Sequence, residues 1–129
     1  MTESRSPESI LVVDDDPLLL RMTQIVLDGL GYRVLLASSG RQALELIAAE
    51  DGKLELVVLD LRMPDMDGMT VLREARGRFP RLRVLLVTGF ATDNVLQALA
   101  ESGAVGVLEK PYDVDTFAAA VQKAMPARG

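Results

Sequence analysis

The chain has 129 residues, 49% of them hydrophobic and 26% charged, with a net charge of −5 and neither cysteine nor histidine. That length suits one domain with a single sizeable core, and the negative balance argues against non-specific nucleic-acid binding by this chain. The missing residue types exclude disulfides, thiolate and imidazole metal sites, thiol chemistry and a phosphohistidine of the chain's own. The opening MTESRSPES is polar and does not read as a signal peptide. No apolar run approaches the ~20 residues of a membrane span, so a cytoplasmic location is expected.

Five short runs rich in Val, Ile and Leu alternate with five amphipathic stretches. Ile10–Val13 leads to a helix opening at Pro17, a residue suited to a first helical turn. Leu18, Met22, Ile25 and Val26 form its expected apolar stripe, and Gly29 and Gly31 stop it. Arg33–Ala37 is followed by Ser38 and Ser39, good capping residues, and by a helix turning Ala43, Leu44 and Ile47 inward. Leu56–Leu59 precedes a helix that starts near Asp67-Gly68, carries Met69, Leu72 and Ala75, and ends before Phe79-Pro80. Val84–Val87 precedes a helix from about Thr92 to Ser102, with Val95, Leu96 and Leu99 inside and Gly103 as its stop. Val105–Leu108 precedes the last helix, Asp113 to about Met125, with Val114, Phe117, Ala118 and Val121 as its apolar face.

None of the five runs alternates with polar residues, which predicts strands buried on both faces and hence a parallel sheet. Right-handed crossovers then place helices on both sides, giving an α/β, doubly wound fold. Met1–Ser9 reads as a flexible N-terminal segment, residues 10–125 as the one domain, and Pro126–Gly129 as a tail.

In such a sheet, ligands bind beyond the carboxyl ends of the strands. Asp14, Asp15 and Asp16 follow the first run, Asp60 the third, Thr88 the fourth and Lys110 the fifth. The second run ends in Ala37-Ser38 without charge, as an outer strand beside the site would. Gathered carboxylates raise one another's pKa unless a cation lies among them. Oxygen ligands without His or Cys select a hard ion such as Mg²⁺. A lysine ammonium and a threonine hydroxyl can both hold a phosphoryl oxygen. The set suits phosphoryl transfer, where catalysis is mostly positioning and charge neutralisation. Each residue alone also fits a cap, a turn or a strand end; matched chemistry at four strand ends does not follow from scattered surface charge.

The segments VVDDDP, LVVLDLRMPDMDG, LLVTGF and LEKPY, in this order, closely resemble the receiver domain of two-component response regulators, from about Ile10 to Met125. The resemblance implies a flavodoxin-like (βα)5 fold with a five-stranded parallel sheet in the order 2-1-3-4-5. It implies that Asp60 is the phosphoacceptor and that Mg²⁺ is held by Asp14, Asp15, Asp60 and the backbone carbonyl of Arg62, with Asp15 a more direct ligand than Asp14. Thr88 and Lys110 would contact the phosphoryl group, Lys110-Pro111 would be a cis peptide, and Pro64 and Gly68 would shape the loop after Asp60. Asp16, just before Pro17, would cap the first helix.

The implied function is a phosphoacceptor module in a bacterial phosphorelay, not an enzyme beyond its own phosphorylation and dephosphorylation. Its donor would be a sensor histidine kinase or a histidine phosphotransfer protein. Its output would pass through helix 4, strand 5 and helix 5 to another domain or an effector protein. The chain would be a monomer or a phosphorylation-dependent dimer, touching neither nucleic acid nor membrane. One departure from the family pattern is Val107, where many receivers carry Tyr or Phe. Phe90 and Tyr112 are the nearby aromatics. Phe90 is a substitute switch, a packed loop residue or a screen against water, and Tyr112 either a substitute switch or a cover for the last helix.

Two rivals remain at this stage. Asp14-x-Asp16 also fits the opening of haloacid-dehalogenase-type phosphatases, with Asp14 as nucleophile and Asp16 as acid/base, but it leaves Asp60 and its loop without a role. A receiver-shaped interaction module that is never phosphorylated is the other.

Overall fold

Each apolar run forms a strand: β1 (Ser9–Val13), β2 (Arg33–Ala37), β3 (Leu56–Asp60), β4 (Val84–Thr88) and β5 (Gly106–Glu109). Between and after them run α1 (Pro17–Gly29), α2 (Gly40–Ala49), α3 (Gly68–Arg78), α4 (Asp93–Glu101) and α5 (Val114–Ala124). The structure is a computed structural model that describes residues 8–126. Of the expected N-terminal segment, residues 1–7 lie outside the described residues, while Ser9 opens β1 and is buried. Of the expected tail, 127–129 lie outside as well.

All strands are parallel, in the order β2-β1-β3-β4-β5, as the resemblance implies. Successive side chains leave a strand on opposite faces, and β1, β3 and β4 are buried throughout. Leu11, Val13, Val57, Leu59, Val84 and Leu86 join one core with Ala43 and Ile47 of α2, Val71 and Leu72 of α3 and Leu99 of α4. Ile10, Val12, Leu56, Val58, Leu85 and Val87 join the other with Leu20 and Leu27 of α1 and Phe117 and Val121 of α5. The sheet is thus covered on both sides, at about 1.5–3 kcal/mol for each fully buried large aliphatic side chain.

The expectation of burial on both faces fails at the two outer strands. β2 is largely half-buried and β5 buries only Leu108, because an edge strand lacks a neighbour on one side. The stripe of α1 is also shifted. Leu20, Thr23 and Leu27 are buried, while Leu18 and Ile25 are 79% and 60% exposed. Thr23 can enter the core because its hydroxyl donates to the Leu19 and Leu20 carbonyls at 2.9 and 3.0 Å. In α5, Val114 is exposed and Ala124 joins Phe117 and Val121 in the core.

The helix starts follow capping chemistry. The side chains of Asp16, Ser39, Asp67, Thr92 and Asp113 each accept from a backbone N–H in the first turn of α1 to α5 respectively. Gly31, with φ +92°, follows the end of α1 in the left-handed conformation that glycine adopts most readily.

Candidate functional site

The register brings the polar strand ends together. Val13 pairs with Leu59, so Asp14 is level with Asp60 across the β1–β3 seam. Asp60 pairs with Val87, which sets Thr88 one step beyond it, and Thr88 pairs with Glu109, which sets Lys110 one step further. Asp60 and Thr88 are the last residues of their strands, so the sheet's own hydrogen bonds fix their backbones.

Asp14 and Asp60 are buried and Asp15 is exposed, and one carboxylate oxygen from each lies within 4.8 Å of the other two. The Lys110 ammonium bridges the buried pair, 3.0 Å from Asp14 Oδ2 and 2.9 Å from Asp60 Oδ2. The remaining oxygens of that pair also have donors. The Asp16 N–H donates to Asp14 Oδ1 at 2.9 Å, and the Arg62 N–H donates to Asp60 Oδ1 at 3.1 Å. The Lys110 backbone is held by its N–H, which donates to the Thr88 carbonyl at 2.8 Å, and the Lys110-Pro111 peptide is cis.

Charge in this pocket is unbalanced. Burial raises the Asp14 carboxyl above its ordinary range, against the opposing pull of the Asp16 N–H and of Lys110. Burial alone would lower the Lys110 ammonium, but its hydrogen bonds to Asp60 and Asp14 prevail and raise it. Three carboxylates against one ammonium leave the deficit of a divalent cation, and an all-oxygen donor set fits a hard one. An open depression of about 430 Å³ adjoins, lined by Asp15, Leu61, Arg62, Met63, Pro64 and Asp67.

The other expected residues lie around this cluster. The Thr88 side chain is buried, and its hydroxyl accepts from the Phe90 N–H at 3.0 Å rather than engaging a carboxylate. The Phe90 ring is 64% exposed, so it is not a packed loop residue. Tyr112 stacks on Phe117 with centroids 5.4 Å apart, covering α5 as one reading of the sequence expected. Burial, followed by the charge of Asp14, pushes its phenol up to about 12. Val107 is half-buried against the core on the α4 side of the sheet. The Asp16 carboxylate caps the start of α1, its Oδ1 accepting from the Leu18 N–H at 2.9 Å, as the resemblance implies.

One device in the loop after Asp60 escapes a reading of the sequence, and the expected Gly68 has a cause other than backbone freedom. The Asp65 carboxylate accepts from the N–H groups of Gly40 and Arg41 at 3.0 and 2.9 Å, tying this loop to the start of α2. Those bonds hold its pKa low. Gly68 is forced by proximity, since a Cβ there would lie 2.7 Å from both the Asp60 carbonyl oxygen and the Leu61 Cα. The aspartate gives no local signal, because its partners lie 24 and 25 residues away.

Comparison with known proteins follows the same lines. Residues 10–122 match the model of the response regulator receiver domain. The transcriptional regulatory protein ZraR of Escherichia coli (strain K12) is 40% identical over 116 residues, which are 90% of this chain and 26% of that protein. The chain therefore spans about a quarter of that relative's length. Sporulation initiation phosphotransferase F of Bacillus subtilis is 32% identical over 94% of this chain and 96% of its own length. A solved response regulator from Burkholderia pseudomallei, with a phosphorylated aspartic acid, a calcium ion and citrate, superposes with a TM-score of 0.78 at 30% identity, covering 89% of this chain and 66% of that one. Fold, sheet order and family match together assign the chain to the response regulator receiver domains, the phosphoacceptor modules of two-component systems.

Proposed function

We propose that residues 10–125 accept a phosphoryl group on Asp60 from a phosphohistidine on a sensor kinase or phosphotransfer protein. The observation that carries this reading is the Lys110 ammonium held between Asp14 and Asp60, with the Asp15 carboxylate completing the cluster. Asp14, Asp15, Asp60 and the Arg62 backbone carbonyl would hold Mg²⁺, which when bound supplies neutralisation of the charge on the transferred group. The Burkholderia relative, solved with a phosphorylated aspartic acid and a calcium ion, supports the assignment.

The chain's own residues do the rest. An Asp60 carboxylate oxygen attacks phosphorus in line; the new O–P bond forms as the P–N bond to the donor imidazole breaks. Lys110 stays with Asp60 and offsets charge on the phosphoryl oxygens. Thr88 exchanges its Phe90 partner for one of those oxygens, and the loop between β4 and α4 follows. The altered face is that of α4, β5 and α5, read by an output domain or an effector protein. Attack of water on phosphorus breaks the Asp60 O–P bond, releases inorganic phosphate and returns the free carboxylate, so the chain also supports its own dephosphorylation.

Incubation with acetyl phosphate and Mg²⁺ tests the assignment. Asp15→Ala is expected to abolish labelling, while Asp16→Ala keeps it and loses about 1 kcal/mol of stability with the helix cap. Equal loss of labelling in both variants would point to a different metal geometry. No labelling of the unmodified chain, by acetyl phosphate or by any kinase, would favour the unphosphorylated interaction module.

A further inference from the structure

Helix α3 begins against the carboxylate pocket and ends in opposite chemistry. Residues 72–83 read LREARGRFPRLR, five arginines against the single Glu74, in a chain whose net charge is −5. Among the described residues none of the five is in an ion pair. Arg76 donates to the Gly103 and Pro80 carbonyls and Arg83 to the Ala124 carbonyl at 2.9 Å, bonds that fix the side chains without cancelling their charge. The Arg78 and Arg81 side chains are exposed and make no hydrogen bond among the described residues.

These two arginines flank a cavity of about 330 Å³ whose other lining is Gly52, Phe79, Pro80 and Leu82. The cavity is built rather than incidental. Gly52 has φ +69°, and a Cβ there would lie 2.3 Å from the Phe79 ring, so the ring rests directly on the glycine. The Arg78 guanidinium lies 5.4 Å above the same ring. The result is an apolar floor flanked by two cations that have no carboxylate partner among the described residues.

We propose that this end of α3 is a docking site for an acidic peptide segment of a partner protein. One apolar side chain of that segment sits on Phe79 and Pro80, and carboxylates on either side meet Arg78 and Arg81. Guanidinium groups suit carboxylates, which they can bind through two parallel hydrogen bonds. A nucleic-acid duplex fits less well: its backbone charge would face a chain that is acidic elsewhere, and it makes no use of the apolar floor. The site lies roughly 16 Å from Gly68 along α3, at ~1.5 Å per residue, so its occupant leaves the Asp60 pocket uncovered. It does not depend on phosphorylation of Asp60.

Amide chemical-shift mapping on the ¹⁵N-labelled chain tests the proposal. The probe is an acetylated peptide with one leucine between two runs of three glutamates. Controls are the same peptide with leucine replaced by glutamate, and a short DNA duplex. Saturable shifts confined to Gly52 and Arg73–Arg83 are expected, weakened at least tenfold by the double substitution Arg78→Ala/Arg81→Ala and several-fold by added salt. Arg81→Glu, at an exposed side chain, serves if the double variant melts early. Absent or scattered shifts, equal binding of the peptide without leucine, or tighter binding of the duplex at these residues would overturn it.

Discussion

The loops that follow β3 and β4 leave the same sheet edge under opposite restraint. After Asp60, the Leu61 N–H donates to Val87, the Arg62 N–H to Asp60 and the Gly68 N–H to Leu61, and Asp65 reaches across to α2. After Thr88, the loop is held by the Phe90 N–H on the Thr88 hydroxyl. It then leads into α4, a helix that buries only Leu99. The loop after Asp60 is fixed from several directions, whereas the loop after Thr88 and α4 are held by few bonds among the described residues. In the proposed function, chemistry requires the fixed geometry of the Asp60 loop and signalling a movable surface beyond Thr88, and the two demands would fall on adjacent strands.

The contrast can be broken most severely at Gly68. Gly68→Ala places a Cβ against the Asp60 carbonyl and is expected to cost about 1–3 kcal/mol, typical of overpacking, by urea denaturation. Phosphorylation of Asp60 should fall with it, because Asp60 shares the displaced backbone. A smaller loss is expected from Asp65→Ala, which frees the N–H groups of Gly40 and Arg41. Its thermal midpoint should fall below that of the unmodified chain at neutral pH. The folded-state pKa of Asp65 is depressed, so its contribution is full above the unfolded value of ~3.9 and is lost as pH falls through the lower folded value. Melting curves of the two proteins should therefore converge in acid. The smallest effect on stability belongs to Phe90→Ala on the loose side, since the ring is mostly exposed. Decay of the phosphorylated form is expected to be slow with Phe90 present and faster without it. Fast decay unchanged by the substitution would remove Phe90 as a screen against water.

The carboxylate cluster was legible in the sequence because parallel strands of like length deliver their last residues to one edge. Asp14, Asp60, Thr88 and Lys110 each stand at the end of an apolar run, and the register needed only to align those ends. The helix faces were less legible. Three consecutive leucines, Leu18–Leu20, support more than one helical phase, and the buried Thr23 in the correct phase reads as polar. β2 (RVLLA) and β5 (GVLE) hold fewer Val, Leu and Ile residues than the central strands but still read as apolar runs, so the extent of their burial shows only once neighbours are known. Asp65 was hidden for a related reason: it serves a helix remote in sequence, and its own neighbourhood, MPDMDG, reads as a turn.

The most direct measurement is to map the labelled carboxylate after incubation with acetyl phosphate in the presence and absence of Mg²⁺. A single adduct on Asp60 that requires Mg²⁺ and disappears in Asp60→Asn is the expected result. An adduct on Asp14, or one that forms equally well without a divalent cation, would contradict the assignment of the site.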